Sequence, residues 1–133
     1  MPLLDDATIP DGAVLYRVLI PGWTTTRGGR YRPASHAFLE TRGEVSLFVD
    51  EPGMLDELRR IFPRHEIAVV SASVIRSKRL VIERRPLECP EGFQRDPACH
   101  VVVGPNDEIQ KPELEKRYRS IAKDPSVAIL PPE

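Results

Sequence analysis

The sequence predicts an α+β fold, in which a mostly antiparallel sheet of five to seven short strands and two helices form a single compact domain. Short runs of aliphatic and β-branched residues recur along the chain, and these are typical of strands. Only two segments, 50–62 and the one that Pro112 opens, place apolar residues at helical spacing. The 14 prolines and 8 glycines interrupt the chain often, which favours short elements joined by turns over long helices.

Length and composition are typical of one soluble globular domain. The chain has 133 residues, of which 29% are charged and 41% hydrophobic. We expect an irregular N-terminal arm over 1–12, the α+β domain over 13–130 and a tail over 131–133. The net charge of −1 gives no overall attraction to nucleic acid or to an anionic membrane. The acidic N-terminus and the short apolar runs predict a cytoplasmic protein that makes no membrane contact.

The first predicted strand is AVLYRVLI, over 13–20, and Pro21 ends it. Alternation places Leu15, Arg17 and Leu19 on one face of this strand. Arg17 is the only charged residue in the run. Its side chain either extends past the apolar surface or forms a salt bridge to a neighbouring strand. The alternative is a half-buried guanidinium that binds a carboxylate or a phosphate.

The segment TTTRGGRYRP, over 24–33, is the most chemically suggestive part of the sequence, and we interpret it as a polar loop. Arg27, Arg30 and Arg32 are candidate phosphate ligands, because guanidinium groups match phosphate oxygens and the glycines let the backbone approach a ligand. Tyr31 between the cations is one ingredient of nucleic-acid stacking. The pattern is neither GxGxxG nor a Walker motif, so a mobile solvated loop is the alternative.

A hairpin followed by a helix is predicted next. SHAFLE over 35–40 and EVSLFV over 44–49 alternate as short strands, and a short connection that contains glycine joins them. The helix covers 50–62, with Asp50 as its N-cap and an apolar stripe along one side. Pro63 ends this helix.

We interpret the stretch over 66–86 as a central, hairpin-like unit around which the other elements are arranged. Its first strand contains the consecutive apolar residues 67–70, which suits a strand covered on both faces. Ser73 then caps one helical turn, and the second strand covers 80–82. A single long strand, bent by a bulge after its first apolar run, is the alternative.

The last third of the chain contains a long loop over 86–99, a strand over 100–104 and the second helix, which Pro112 opens. Segment 126–130 follows this helix and is apolar enough to form a strand. It either adds an edge strand to the sheet or docks on a partner as an extended peptide.

Cys89, Cys99 and His100 form the only cluster of residues that soft metals prefer. Zinc would need a fourth ligand, for which His36 and His65 are the remaining histidines, and the spacing matches no paired CxxC site. We therefore expect no metal and no cofactor. In a reducing compartment the two cysteines are expected to be ordinary thiols without a disulfide.

Nucleophilic catalysis requires a nucleophile, a base and a group that orients the base. Ser46 with His36 or with His100 supplies the first two if these residues lie on adjacent strands. The sequence has no GxSxG turn for a nucleophile, and no aspartate lies in a predicted strand to orient a histidine. With Arg17 as an anion-binding group, these residues form the candidate catalytic set.

Segment 15–46 resembles the opening of ADP-ribosyltransferase-type domains in three features. These are the early LYRV, the glycine loop with its arginines, and HAF. In that family a first-strand arginine or histidine contacts the dinucleotide, and a later strand carries serine or tyrosine. The resemblance implies these roles for Arg17 and Ser46. The late catalytic glutamate of the family has no convincing position in this sequence, where Glu83 is the only strand candidate. This departure implies a degenerate, non-catalytic version.

Arg76, Lys78 and Arg79 place three cations at one corner of the chain. A solvated turn and an anion site are the two interpretations of this corner. If the corner lies next to the arginines of 27–32, the two could bind nucleic acid together, with an affinity that falls steeply as salt rises.

The sequence leaves three functions open. The first is a small binding or accessory protein that works with a protein partner in a larger assembly, since no catalytic motif is complete. The second is an enzyme, active or degenerate, on a nucleotide or a phosphorylated substrate, which predicts that Arg17, His36 and His100 converge in one pocket. The third is a nucleic-acid-binding protein that uses the loop over 27–32.

Overall fold

The computed structural model describes residues 2–39, 44–85 and 100–132. In these ranges the chain forms a six-stranded sheet, a two-stranded sheet and three helices, so the predicted α+β class is confirmed. The strands are β1 (Val14–Leu19), β2 (Thr24–Arg27), β3 (Arg30–Pro33), β4 (Val45–Val49), β5 (Glu66–Ser71), β6 (Val81–Arg84), β7 (His100–Gly104) and β8 (Ala128–Leu130). The helices are α1 (Met54–Ile61), α2 (Ala72–Ser77) and α3 (Lys111–Lys123). None of the helices in the described ranges has the length and apolarity that a membrane crossing requires.

The large sheet has the strand order β6-β7-β4-β1-β5-β8, and its neighbouring strands pair antiparallel. β1 and β4 lie at its centre. β1 pairs with β5 along its whole length, whereas its ladder with β4 ends where Tyr16 lies opposite Phe48. The two central strands separate beyond this pair, and the candidate site forms at the gap between them.

Each face of the large sheet has its own apolar core. α2 and α3 cover one face, where Leu15, Ile75 and Tyr118 are buried. α1 covers part of the other face, where Leu58 packs in a cluster with Ile67. Burial of these side chains is the main favourable contribution to folding, and it fixes which residues of each strand remain available at the sheet surface.

The stretch predicted as a central unit is a strand, a helix and a strand, but it is not a hairpin. β5 and β6 lie far apart in the sheet, with β1, β4 and β7 between them, and α2 belongs to the crossover. Ser71 rather than Ser73 caps α2, because its backbone is extended and its hydroxyl accepts from the Val74 amide. The alternative of one bent strand is also wrong. β5 is covered on both faces as predicted, since Ile67 and Ala68 lie in different cores.

The segment predicted as a polar loop, 24–33, is instead the β2–β3 hairpin. Gly28 and Gly29 form its two-residue turn with φ of 60° and 76°. A type I′ turn requires positive φ at both central positions, and glycine adopts it without strain. The glycine pair therefore has a structural role in closing the hairpin.

The strand predicted over 35–40 is wrong where the structure describes it, because residues 35–38 form a turn. The Ala37 amide donates locally to the Ala34 carbonyl at 2.9 Å. Phe38 is fully buried, so this apolar side chain enters the core from a turn. β4 consequently pairs with β1 and β7 in place of the predicted hairpin partner.

The helices differ from the prediction in number and in one boundary. α1 begins at Met54, and Gly53 with φ of 82° occupies the N-cap position in place of Asp50. The six-residue α2 is a third helix, where one helical turn was predicted. α3 lies where Pro112 predicts it. Of the two alternatives for segment 126–130, the structure has the edge strand, β8, which pairs with β5.

Residues 2–12 contain no helix or strand, yet they pack closely on the rest of the chain. Leu3 is buried in a small cluster with Val81 and Val102. The Asp6 amide donates to the Ile82 carbonyl at 2.8 Å. This segment therefore covers apolar side chains of β6 and β7 that solvent would otherwise reach.

Replacement of Leu58 tests the attachment of α1 to the sheet. Leu58 is fully buried, whereas the side chain of Leu4 is 78% exposed. We expect Leu58→Ala to lower the free energy of unfolding by about 2–5 kcal/mol, because it removes buried methyl groups and leaves a cavity. Leu4→Ala is the matched control and should change it by less than about 0.5 kcal/mol. Urea titration measures both, and equal losses would contradict the packing of α1.

Candidate functional site

Arg17 occupies the gap where β1 and β4 separate. Its side chain is buried, with 4% of its surface exposed. Nε donates to the Ala37 carbonyl at 3.2 Å, and Nη1 donates to the Ser46 carbonyl at 3.0 Å. The guanidinium carbon lies 5.1 Å from the centre of the Trp23 ring, within the range of a cation–π contact. These contacts hold a positive charge at the backbone carbonyl of Ser46.

Ser46 and His100 meet because of the register between β4 and β7. Phe48 lies directly opposite His100 in this ladder, and Ser46 is two residues from Phe48 on the same face. Ser46 Oγ forms a hydrogen bond with His100 Nε2. His100 Nδ1 lies 2.8 Å from the Arg85 carbonyl, which can only accept. Nδ1 therefore carries the imidazole hydrogen, and Nε2 accepts from the Ser46 hydroxyl.

Burial keeps His100 in its neutral form. The residue is 4% exposed, and the edge of its ring packs against Phe48 with the ring centres 5.4 Å apart. Desolvation lowers the pKa of His100 below its ordinary value of 6.5, and the charge of Arg85 acts in the same direction. The hydrogen bond to the Arg85 carbonyl opposes this shift without reversing it. A neutral imidazole whose Nε2 faces a hydroxyl is the form that can take up a proton.

An open pocket of about 240 Å³ lies beside the Ser46 and Arg17 side chains. Its lining is mainly apolar and includes three polar side chains, an arrangement typical of small-molecule sites. The lining residues are Arg17, Val18, Ile20, Trp23, Ser46, Phe48, Phe62 and His65. The buried Nδ1 of His65 finds no hydrogen-bond partner among the described residues. A ligand in the pocket could supply one.

His36 does not join the other candidate catalytic residues. Its side chain is exposed on the turn over 35–38, and it is not among the residues that line the pocket. Ser46 therefore contacts Arg17 through its backbone carbonyl and His100 through its hydroxyl. Arg17 and Ser46 line the pocket, whereas neither His100 nor His36 is among its lining residues. The neighbouring Ala37 contributes through its carbonyl, which binds Arg17.

Arg27, Arg30 and Arg32 lie together on one face of the β2–β3 hairpin. Arg27 is directly opposite Arg30, and Arg32 is two residues further along β3. Arg30 donates to the Pro125 carbonyl. None of the three forms an ion pair with a carboxylate of the described residues.

Arg76 points away from that hairpin toward the N-terminal segment. Its guanidinium donates to Asp5 at 3.2 Å, to Asp11 at 2.7 Å and to the Asp6 carbonyl at 3.1 Å. These bonds to two carboxylates raise the pKa of Arg76, although its desolvation opposes them. Arg76 therefore fastens the N-terminal segment in this structure. Its neighbour Lys78 pairs with Asp124 at 3.4 Å.

The cysteines considered as metal ligands and the glutamate of the transferase resemblance lie in different parts of the chain. Cys89 and Cys99 lie outside the described residues, and the described ranges contain no group of three side chains that could hold a metal ion. Glu83 shares a row across the sheet with Val102 and Ser46, two strands away from Ser46. Its carboxylate accepts from the Leu4 amide at 3.0 Å and from Arg85 at 2.7 Å, and these bonds lower its pKa.

Two contributors to the site have no signal in the sequence. The Arg85 carbonyl orients His100. Because every residue has a backbone carbonyl, the sequence gives no sign of which one has this role. His65 lies in the short connection between α1 and β5, and only the three-dimensional structure places it beside Trp23 and Phe48.

Comparison with protein-family models, with curated proteins and with solved structures finds no match to this chain. The functional argument is therefore based on the geometry of the site. Its central elements are the Ser46–His100 hydrogen bond, the Arg17 charge and the adjoining pocket.

The lowered pKa of His100 predicts how its contribution to stability depends on pH. Above its ordinary pKa of 6.5 the imidazole is neutral in both states. As the pH falls below that value, the unfolded chain takes up a proton that the folded protein resists, so the folded protein loses stability. The difference in unfolding free energy between the wild type and His100→Gln should therefore decrease from about pH 8 to about pH 5. Urea titrations across this range measure it, and a constant or rising difference would contradict the buried neutral histidine.

Proposed function

We propose that this chain is an enzyme that hydrolyses a small anionic ester, with Ser46 as the nucleophile and His100 as the general base. The observation that supports it best is the hydrogen bond between Ser46 Oγ and His100 Nε2 beside an open pocket. A hydroxyl that attacks an ester must lose its proton, and an adjacent neutral imidazole is the usual acceptor.

The base is oriented as this chemistry requires. The Arg85 carbonyl accepts from His100 Nδ1, which fixes the tautomer and the rotation of the ring. In a serine, histidine and aspartate triad the carboxylate has this role. A carbonyl has no full negative charge, so it stabilises a protonated imidazole less than a carboxylate does. The pair is therefore a dyad oriented by the backbone.

The proposed reaction has two halves. Ser46 Oγ bonds to the carbon or phosphorus of the ester while its proton moves to His100 Nε2. The bond to the leaving alcohol then breaks, and that alcohol takes the proton from Nε2. In the second half water attacks the ester formed on Ser46, gives a proton to His100 and releases the acid. Return of the proton from Nε2 to Ser46 Oγ restores the enzyme.

The surroundings of Ser46 indicate the substrate class. Arg17 lines the pocket together with Ser46, and a positive charge in the lining favours a substrate with a carboxylate or a phosphate group. The walls formed by Trp23, Phe48 and Phe62 favour an apolar or planar group beside the anionic one. Phosphorylated compounds with a small planar group, including nucleotide fragments, have both features.

Labelling with a serine-directed fluorophosphonate tests the nucleophile. The wild-type protein should be labelled at Ser46, and Ser46→Ala should abolish labelling because the attacking oxygen is lost. His100→Gln should slow labelling at least about 100-fold, since the proton acceptor is lost. Gel fluorescence measures the rates, and peptide mass spectrometry locates the adduct.

Ser73→Ala is the matched control, because Ser73 is exposed and remote from His100 in the fold. It should label at the wild-type rate. Labelling of His100→Gln at the wild-type rate, or no labelling of the wild type, would contradict the proposal. Hydrolysis of nitrophenyl acetate and nitrophenyl phosphate then distinguishes acyl from phosphoryl esters.

A binding or accessory protein is the second candidate, and the exposed apolar side chains favour it. Leu4 near the N-terminus is 78% exposed, and Ile20 is 47% exposed. If Leu4 contacts a protein partner, then Leu4→Ser should lose a partner that copurifies with the tagged wild-type chain, as followed by quantitative mass spectrometry. Ser46→Ala should retain that partner. If the same proteins copurify with Leu4→Ser and with the wild type, this contact is excluded.

A further inference from the structure

The β2–β3 hairpin has two chemically different faces. Directly opposite residues of an antiparallel pair share a face, as do residues two apart along a strand. The register places Thr25, Arg27, Arg30 and Arg32 on one face, which we call the arginine face. Tyr31 and the alternate residues of β2 lie on the other.

The Tyr31 face attaches the hairpin to the large sheet. The Tyr31 hydroxyl lies 2.7 Å from the Glu66 carboxylate at the start of β5 and 2.7 Å from the Thr24 hydroxyl. Pro33 on the same face is buried. The only carboxylate in these contacts is therefore directed at the tyrosine and not at the arginines.

The arginine face carries a concentration of positive charge that the described residues do not neutralise. Arg27 and Arg30 are exposed, and Arg32 is half-buried. Arg30 binds the Pro125 carbonyl, which is uncharged, and none of the three pairs with a described carboxylate. Like charges directly opposite each other destabilise a strand pair, and Arg27 lies directly opposite Arg30. A bound polyanion would remove this cost.

We infer that the arginine face is a nucleic-acid-binding surface that contacts backbone phosphates. Two of the three cations on this face, Arg27 and Arg30, are exposed. A single phosphate is held weakly on such a surface, whereas a polymer of phosphates meets several cations at once and releases counterions. Because Tyr31 lies on the opposite face, the contact is made with phosphates and carries little sequence information.

This surface does not include the cationic corner at Arg76. Arg76 is bound to Asp5 and Asp11, and Lys78 is paired with Asp124. Lys78 and Arg30 do contact adjacent positions of one turn, at Asp124 and Pro125. The proposed surface consists of the hairpin alone and is independent of the chemistry proposed at Ser46.

Fluorescence anisotropy with a labelled single-stranded RNA of about 20 nucleotides tests the surface. Three phosphate contacts predict that log K falls with log salt at a slope of about −2 for a single strand. The triple variant Arg27→Gln, Arg30→Gln, Arg32→Gln should lose at least about tenfold in affinity at about 50 mM salt, and its slope should approach zero. The corresponding triple lysine variant keeps the charges and should bind within a few-fold of the wild type.

A matched control distinguishes the effect of this surface on RNA affinity from the effect of the net charge. Arg79, Lys111 and Lys116 are exposed cations outside the hairpin, and their replacement by glutamine also changes the formal charge from −1 to −4. This variant should bind RNA with an affinity within about twofold of the wild type. Ser46→Ala should also bind normally.

Three results would overturn the inference. One is no RNA binding by the wild type at about 50 mM salt. Another is an equal loss of affinity in the two glutamine variants. The third is polyglutamate competing as well as unlabelled RNA of the same length, because the surface would then fit an acidic protein.

Discussion

The Arg17 guanidinium is the interaction on which the candidate site depends. It fills the gap where β1 and β4 separate, and burying a cation there costs several kcal/mol, roughly, unless hydrogen bonds replace its water. The Ala37 and Ser46 carbonyls supply two of these bonds. The same side chain therefore fixes the 35–38 turn, the start of β4 and the wall of the pocket. Trp23 covers the cation, so its charge acts in a partly apolar environment.

The regular part of the sheet positions the Ser46 and His100 side chains. β4 and β7 are paired from Val45 opposite Val103 to Phe48 opposite His100, and this register fixes the distance between the Ser46 and His100 backbones. A shift of the register by one residue would turn one of these side chains to the other face of the sheet. Both strands are anchored by buried residues, so the dyad sits on a stiff scaffold. The Arg85 carbonyl orients His100 through its Nδ1, just beyond the end of β6.

The sequence predicted the elements better than their arrangement. Apolar runs located β1, β4, β5 and β7, since each is buried on at least one face. They did not identify the partner of each strand, because periodicity determines the faces of a strand and not its neighbours. The 35–38 turn has the same alternation as a strand, and its Phe38 is equally buried. Gly28 and Gly29 did carry a hairpin signal, but the polar composition of the flanking residues concealed it. Ser46 with His100 was one of the two pairs that the sequence suggested, whereas no sequence pattern indicates the role of the Arg85 carbonyl.

The two faces of the hairpin next to the site differ: the Tyr31 face contacts the large sheet, and the arginine face is the proposed binding surface. A two-stranded hairpin is marginally stable alone, so it needs contacts with the rest of the chain. The Tyr31 hydroxyl provides one at Glu66, and Arg30 provides another at Pro125. Trp23 lines the pocket and precedes the first residue of β2, so the hairpin begins at the wall of the site. Arg27 and Arg30 are exposed, although Arg30 also donates to Pro125. The proposed polyanion would therefore contact the hairpin without rearrangement of the sheet that carries Ser46 and His100.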